Sequence, residues 1–347
     1  MDVLTMISDR RMERLQERFG NRFKPNAPLA KFTAAQIGGR ADGLLIVDSI
    51  ASLIDSATYL WEQGMPFFIL GGGSNILVSD AGVRGVVVLN RARRIRFDDQ
   101  ADPPTVRAES GARFGLVARQ AASRGLAGLE WAAGIPGTIG GAVVGNAGAH
   151  GSDIASILLL ADILHLQAPK GIGETERTSG MLVRRENWSV KDLNYGYRSS
   201  VLKTESLLGG AAGSSFSNLS SPDSIILGAV LRLERSSPEA VQAKTDEYTS
   251  YRRLTQPPGA SMGSMFKNPP GDYAGRLIEM AGLKGKKIGG AGISPLHGNF
   301  FVNYGNASAS DVWQLICLAQ EAVLEKFGVA LELEIQLVGE WVAGISG

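Results

Sequence analysis

The stretch GIPGTIGGAVVGNAGAHG, residues 134–151, carries glycine at seven of its eighteen positions. Each glycine adds to the entropy lost on ordering the backbone. Such a run therefore persists where main chain must approach something closely or adopt positive φ. Backbone N–H groups bared by clustered glycines can cradle an anionic group such as a phosphate. Tight turns between core strands are the plainer reading of any single one of these glycines. A second run, Leu70-Gly71-Gly72-Gly73-Ser74-Asn75, favours the ligand reading for the pair.

Outward from these runs, residues 43–47 read as a buried strand, 51–63 as a helix stopped by Gly64, and 66–70 as a second strand entering Gly71. This β-α-β unit sets a glycine loop at the carboxyl end of a strand, where α/β folds commonly bind ligands. Residues 85–89 and 105–109 are further strands, and a helix over 112–124 ends at Gly125. From 169 to 187 the chain turns polar and irregular. The stretch 205–223 (ESLLGGAAGSSFSNLSSPD) approaches low complexity and reads as a mobile loop inside a domain, because 225–231 resumes as a strand. Ser236 and Glu239 have capping-box spacing around Pro238, opening a helix to about Arg253. Gln256-Pro257-Pro258-Gly259 marks the clearest boundary. Beyond it, Asp272 caps a helix to Met280, a long amphipathic helix runs over 311–327 to Gly328, and 331–338 forms a last strand.

A chain of 347 residues exceeds one hydrophobic core, so two or three subdomains are expected. The net charge of +1 offers no broad nucleic-acid footprint. The single cysteine, Cys317, excludes an internal disulfide framework and a multi-cysteine metal site. It lies in an apolar helical pattern and reads as a buried structural thiol, and with three histidines in the chain no metal centre is expected. The N-terminus lacks the apolar core of a signal peptide. The most apolar stretch, 154–166, is interrupted by Asp162 and His165 and is too short to span a bilayer, so a cytoplasmic protein without membrane contact is expected. Neither a GxxxxGK[ST] phosphate loop nor a strand-anchored GxGxxG nor a GxSxG elbow is present. What remains is the pair of glycine loops, arginines beside tyrosines, and Gly263-Ser264-Met265-Phe266-Lys267-Asn268-Pro269. That run sets a hydroxyl, an amine and an amide within five residues; it is either a polar turn with Phe266 in the core or a site.

Seven segments then fall into one order: LGGGSNILVSD (70–80), GLEWAAGIPGTIGGAVVGNAGAHG (128–151), YGYRSS (195–200), RRLTQP (252–257), GSMFKNPPGDYAGRLIEMAGLKG (263–285), HGNFFVN (297–303) and LELEIQLVGE (331–340). Over about 31–340 the chain resembles the UDP-N-acetylenolpyruvoylglucosamine reductase (MurB) family, and its compact YGYRSS element is similar to the shorter subtype that lacks an extra tyrosine-bearing loop. The resemblance implies an α+β protein with an FAD-binding fold of the vanillyl-alcohol oxidase (PCMH) type in two subdomains. Those are 1–91, completed by a C-terminal strand within 330–347, and 92–253; an α+β substrate-binding domain at 254–329 follows.

It also implies an NADPH-dependent enzyme with bound FAD that reduces UDP-N-acetylglucosamine enolpyruvate to UDP-N-acetylmuramate for peptidoglycan. A monomer is the default expectation. By resemblance, Gly71, Gly72, Gly73, Ser74 and Asn75, with Gly134, Pro136, Gly137, Thr138, Gly141 and Gly148, hold FAD. Arg198 stabilises charge developing on the substrate, Glu334 holds or polarises its carboxylate, and Ser264 donates the proton. Arg252, Lys267 and Asn268 are assigned to the UDP phosphates and sugar, while Tyr197, like Tyr195, lines the substrate pocket or belongs to the core. Leu333 stands where the family pattern has proline, Gln336 where it has arginine, His150 where tyrosine is common, Gln36 where a basic residue is common, and Gly298 where alanine is usual. A related flavin oxidase would need neither Ser264 nor Arg252, and a catalytically silent flavin- or UDP-sugar-binding protein is the other alternative.

Overall fold

A computed structural model of the protein describes residues 9–167, 182–203 and 221–341. The loop expected at 205–223 lies outside the described residues except for its last three, as does the end of the expected C-terminal segment beyond 341.

The first sheet has the order Phe23–Pro28, Arg40–Val47, Val83–Asn90, Phe67–Leu70; its first pair is antiparallel and the rest parallel. Parallel neighbours need a crossover, supplied here by the helix Ile50–Glu62. Its Ser49 side chain caps the N–H of Ser52, Leu53, Leu60 and Trp61 are buried, and Gly64 (φ +57°) turns the chain out. Phe67–Leu70 then delivers the first glycine loop to its carboxyl edge.

The second sheet is antiparallel throughout, in the order Leu182–Trp188, Leu158–Gln167, Ser224–Arg232, Thr105–Glu109, Ile95–Asp98. Its inner face packs with Phe114, Val117, Trp131, Ile139 and Val143 into one core, so the helices Phe114–Ala122 and Ile139–Gly145 cover it. One expectation fails here. Residues 182–188, read as irregular, form an edge strand whose exposed Arg184 and Arg185 are the charges that protect a sheet edge. Arg185 Nε donates to Asp162 Oδ1 at 2.7 Å, which accounts for a buried carboxylate in the apolar stretch beside it.

The third sheet, Ala260–Ser264, Phe300–Asn303, Ala291–Ile293, Lys287–Ile288, lies against the helix Ala309–Phe327. Ser308 and Asp311 form a reciprocal capping box, so this helix starts two residues earlier than the apolar pattern suggests. Cys317 is only half-buried on it, although burial still pushes the thiol up. Two caps differ from expectation. Ser237, not Ser236, caps Pro238–Thr255, because its side chain reaches Ala240 N. The helix Ala274–Met280 is capped by Asn268 Oδ1 at Ala274 N (3.1 Å), while Asp272 accepts from Tyr273 N and pairs with Arg276. The last strand is also shorter than expected. Only Gln336–Val338 is strand, pairing in parallel with Ile76–Val78, because residues 332–334 bond instead to the 265–267 loop. No helix among the described residues is long and apolar enough to cross a membrane.

Asp80 joins the first glycine-loop segment to the helix Ala309–Phe327. Its carboxylate accepts from Ala309 N at 2.8 Å and Ser310 N at 2.9 Å, at the positive end of the long helix. Asp80→Ala should therefore lower stability by about 1–2 kcal/mol, the usual cost of losing a carboxylate cap, read as a drop in Tm with unchanged far-UV circular dichroism.

Candidate active site

The two glycine runs meet face to face. A Cβ on Gly72 would lie 2.9 Å from Gly137 Cα, and one on Gly71 would lie 2.5 Å from Thr138 Oγ1. Ser74 Oγ completes the contact by donating to Pro136 O at 3.3 Å. These glycines are thus required first by each other, a reason beside both the turn and the ligand readings of the sequence. Beside the contact lies a cleft of about 610 Å³ lined by Lys31, Thr33, Gly72, Ser74, Arg113, Arg119 and residues 134–138. The N–H groups of Gly72, Ser74, Gly137 and Thr138 have no acceptor among the described residues. Unpaired backbone donors backed by Lys31, Arg113 and Arg119 fit a dinucleotide pyrophosphate. Gly73 packs on Phe32 O, and Gly141 faces open space apart from Thr138 Oγ1 at 3.8 Å. Asn75 Nδ2 donates to Glu334 O at 3.1 Å, and Asn75 O accepts from Gln336 N at 3.0 Å. It binds the glycine loop to the chain's last segment.

The downstream end of the second run holds YGYRSS. The helix Ile139–Gly145 leaves carbonyls unpaired at its C-terminus. Tyr195 Oη takes Val143 O at 2.9 Å and Ser200 Oγ takes Val144 O at 2.6 Å. Asn146, in a left-handed conformation and 4% exposed, donates to Gly196 O. Tyr195 is therefore a core residue, its phenol pushed up by burial, whereas Tyr197 is 54% exposed with its ring 5.3 Å from the Arg198 guanidinium. Of seven non-glycine residues with positive φ among those described, Asn146, His150 and Arg198 lie on these two segments and Asn194 immediately precedes the second. Backbone strain of this kind concentrates at functional sites.

Arg198 projects from that strained turn. Its Nη2 donates to Gly148 O at 2.6 Å and its Nε to Glu334 Oε1 at 3.2 Å. Glu334 sits in a half-buried position where burial raises its carboxyl above the ordinary value, against the pull of Arg198, Lys203 and Lys267. Glu334 N donates to Met265 O at 2.9 Å and Lys267 N to Glu332 O at 2.8 Å, so the 263–268 loop runs alongside. Ser264 ends the strand Ala260–Ser264, and a Cβ on Gly263 would stand 4.0 Å from Ser74 O, which puts the serine loop at the glycine cradle. Phe266 is fully buried, as its place in the run suggests.

Three assigned binding residues are not brought together. Lys267 pairs with Glu332 at 3.2 Å, and the Asn268 side-chain carbonyl is committed to the helix cap. Arg252 instead lies against Gly134 and lines a second cavity of about 640 Å³ with Arg119, Gln242, Asp246 and Pro257, in which neither Lys267 nor Asn268 takes part. Burial draws the Arg252 guanidinium below its usual value, and it has no ion-pair partner among the described residues. Beside it, His150 stacks on Tyr248 at 4.1 Å, with burial and Arg252 both lowering its pKa. Sequence reading missed Arg113, Arg119 and Lys203; only their basic character was available, and basic residues are common on surfaces.

Two departures have structural reasons. A Cβ on Gly298 would meet Gly275 O at 2.6 Å, so alanine does not fit in this chain. Leu333 opposes Phe266 as a pair that exchanges no hydrogen bonds, so leucine can stand where the family has proline without altering the ladder.

Comparison with known proteins agrees with this geometry. Residues 254–338 match the family described as UDP-N-acetylenolpyruvoylglucosamine reductase, C-terminal domain, and residues 41–169 match an FAD binding domain. The chain is 41% identical over 319 residues to the UDP-N-acetylenolpyruvoylglucosamine reductase of Rubrobacter xylanophilus, covering 91% of this chain and 95% of that one. It is 38% identical over 315 residues to the enzyme of that name from Chloroflexus aggregans, covering 91% and 97%. The crystal structure of the reductase from Thermus caldophilus superposes with a TM-score of 0.69 at 31% identity, covering 91% of this chain and 99% of that one. Fold, cradle and relatives converge, and the chain belongs to the UDP-N-acetylenolpyruvoylglucosamine reductase family of FAD-binding oxidoreductases.

Proposed function

We propose that the protein reduces UDP-N-acetylglucosamine enolpyruvate to UDP-N-acetylmuramate with NADPH as reductant, in peptidoglycan precursor synthesis. The observation that carries the reading is the Arg198–Glu334 pair, set between the glycine cradle and the serine loop. We divide the chain into cofactor-binding parts at 1–91 and 92–253, a substrate part at 254–329, and a C-terminal segment that returns to the first part. FAD bound in the cleft would supply hydride chemistry, taking hydride from NADPH and passing it to the enolpyruvyl double bond. Residues 71–74 and 134–138 with Arg113 and Arg119 hold its pyrophosphate. Arg252, placed against Gly134, serves phosphates in the adjoining cavity rather than at the 267–268 loop.

Hydride addition at C3 leaves electron density on C2 and on the substrate carboxylate. Arg198 is a fixed cation aimed at that density, and its main-chain anchor on Gly148 means that little reorganisation is needed as charge develops. Glu334, whose carboxyl burial raises above its ordinary value, is the group suited to share a proton with the substrate carboxylate and so remove a repulsion between like charges. Ser264 Oγ–H gives its proton to C2, and the cation of Lys267, three residues on in the same loop, favours the alkoxide left behind.

The purified protein should be yellow, be bleached anaerobically by NADPH, and regain colour on adding UDP-N-acetylglucosamine enolpyruvate; failure to regain it would overturn the reading. Ser264→Ala should leave flavin bleaching intact and slow the return of colour by about 10²–10⁴-fold, the range for loss of a positioned proton donor. Because protonated Glu334 is the working form, the rate should fall as pH rises through its raised pKa. Glu334→Gln, which donates but cannot titrate, should slow the reaction and flatten that limb of the pH profile.

A further inference from the structure

Lys203 lies three residues beyond YGYRSS and has no part in the mechanism above. Its Nζ donates to Arg198 O at 3.1 Å and to Glu334 O at 3.3 Å. It forms no ion pair within the described residues, and its side chain is half-buried. A flexible lysine ordinarily snorkels to water, whereas this ammonium is withdrawn from water onto two neutral carbonyls, with the Glu334 carboxyl the one acid that faces it. The carbonyls it chooses belong to the two residues whose side chains make the Arg198–Glu334 pair. Among the described residues these segments share no other main-chain tie. Arg198 also holds φ +55°, a conformation that a non-glycine residue keeps only when its surroundings impose it. On the other side, Glu334 O receives a second donor, Asn75 Nδ2, so one carbonyl gathers the glycine loop and the Arg198 turn.

We propose that Lys203 is a positioning residue, a cationic tether that locks the backbone of Arg198 to that of Glu334 and so sets the aim of the two side chains on the substrate carboxylate. Its charge has a second effect. Glu334 is faced by Arg198, Lys203 and Lys267, all of which favour its ionised form against burial; Lys203 in turn faces Glu334, Arg198 and Lys267. Removing one of three cations pushes the Glu334 carboxyl higher. The catalytic part of the inference rests on the reductase reading; the tether itself does not.

The test compares Lys203→Met with Lys203→Arg in the FAD-loaded full chain. In K203M, amide hydrogen exchange at Ser199 and Glu334 should quicken, while K203R stays near wild type. The return of flavin colour with UDP-N-acetylglucosamine enolpyruvate should slow by up to about a hundredfold, as expected for a misaimed catalytic group. FAD content and bleaching by NADPH should hold. The high-pH limb should move to higher pH in K203M and stay in place in K203R. Wild-type exchange and rate in K203M would overturn the proposal, as would equal loss in both half-reactions with an unmoved limb. If K203M does not fold, Lys203→Gln carries the same comparison. If the wild-type protein itself cannot use the enolpyruvyl substrate, the functional reading fails, and the exchange comparison alone decides the tether.

Discussion

Gly72 packs main chain on main chain against Gly137, and Gly71 packs on the Thr138 side chain, with no room for a single methyl group at either. This contact brings together the carboxyl edge of a parallel strand and the loop before a helix, elements of two different sheets. The N–H groups of Gly72, Ser74, Gly137 and Thr138 at this seam find no acceptor among the described residues. The cleft beside them is therefore rimmed by unpaired donors and by arginine, a surface that only an anionic ligand satisfies well. Everything further along depends on this seam. The second run continues into the helix Ile139–Gly145, whose carbonyl end holds Tyr195 and Ser200 and thereby the Arg198 turn.

The site's electrostatics follow from its position over that seam. Three cations gather near one half-buried carboxyl, yet burial still keeps Glu334 above the ordinary glutamate value. A pair in which the arginine is charged and the acid is readily protonated suits a substrate that brings its own carboxylate. Two fully ionised partners would only neutralise one another.

Much of this was legible from residue types. The strand-helix-strand around the first glycine loop and the exits at Gly64, Gly125 and Gly328 have local causes, positive φ and short apolar runs, and local causes are written in local sequence. Ser236 and Ser237 are both plausible caps, and only the side chain that reaches Ala240 N decides between them. The strand Leu182–Trp188 escaped notice because its membership is dictated by a partner strand and an ion pair with Asp162, while its own residues are largely charged. The same holds for the site. Arg198, Ser264 and Glu334 could be named from motifs, but the pairing of Arg198 with Glu334 depends on contacts between distant segments. Lys203 and Asn75 act through main-chain carbonyls, a use that leaves no mark in sequence.

The bond from Asn75 to Glu334 spans 259 residues, and the neighbouring parallel pairing of Gln336–Val338 with Ile76–Val78 spans as much. Closing so long a loop is entropically late work in folding, and the three-residue ladder that rewards it is short. The glycine seam, by contrast, is closed by segments about 65 residues apart, from Gly72 to Gly137. Loop-closure entropy favours that seam over the docking of the last segment by only about 1 kcal/mol, so the short parallel ladder and the Asn75–Glu334 bond are what keep the Arg198–Glu334 pair beside the cleft.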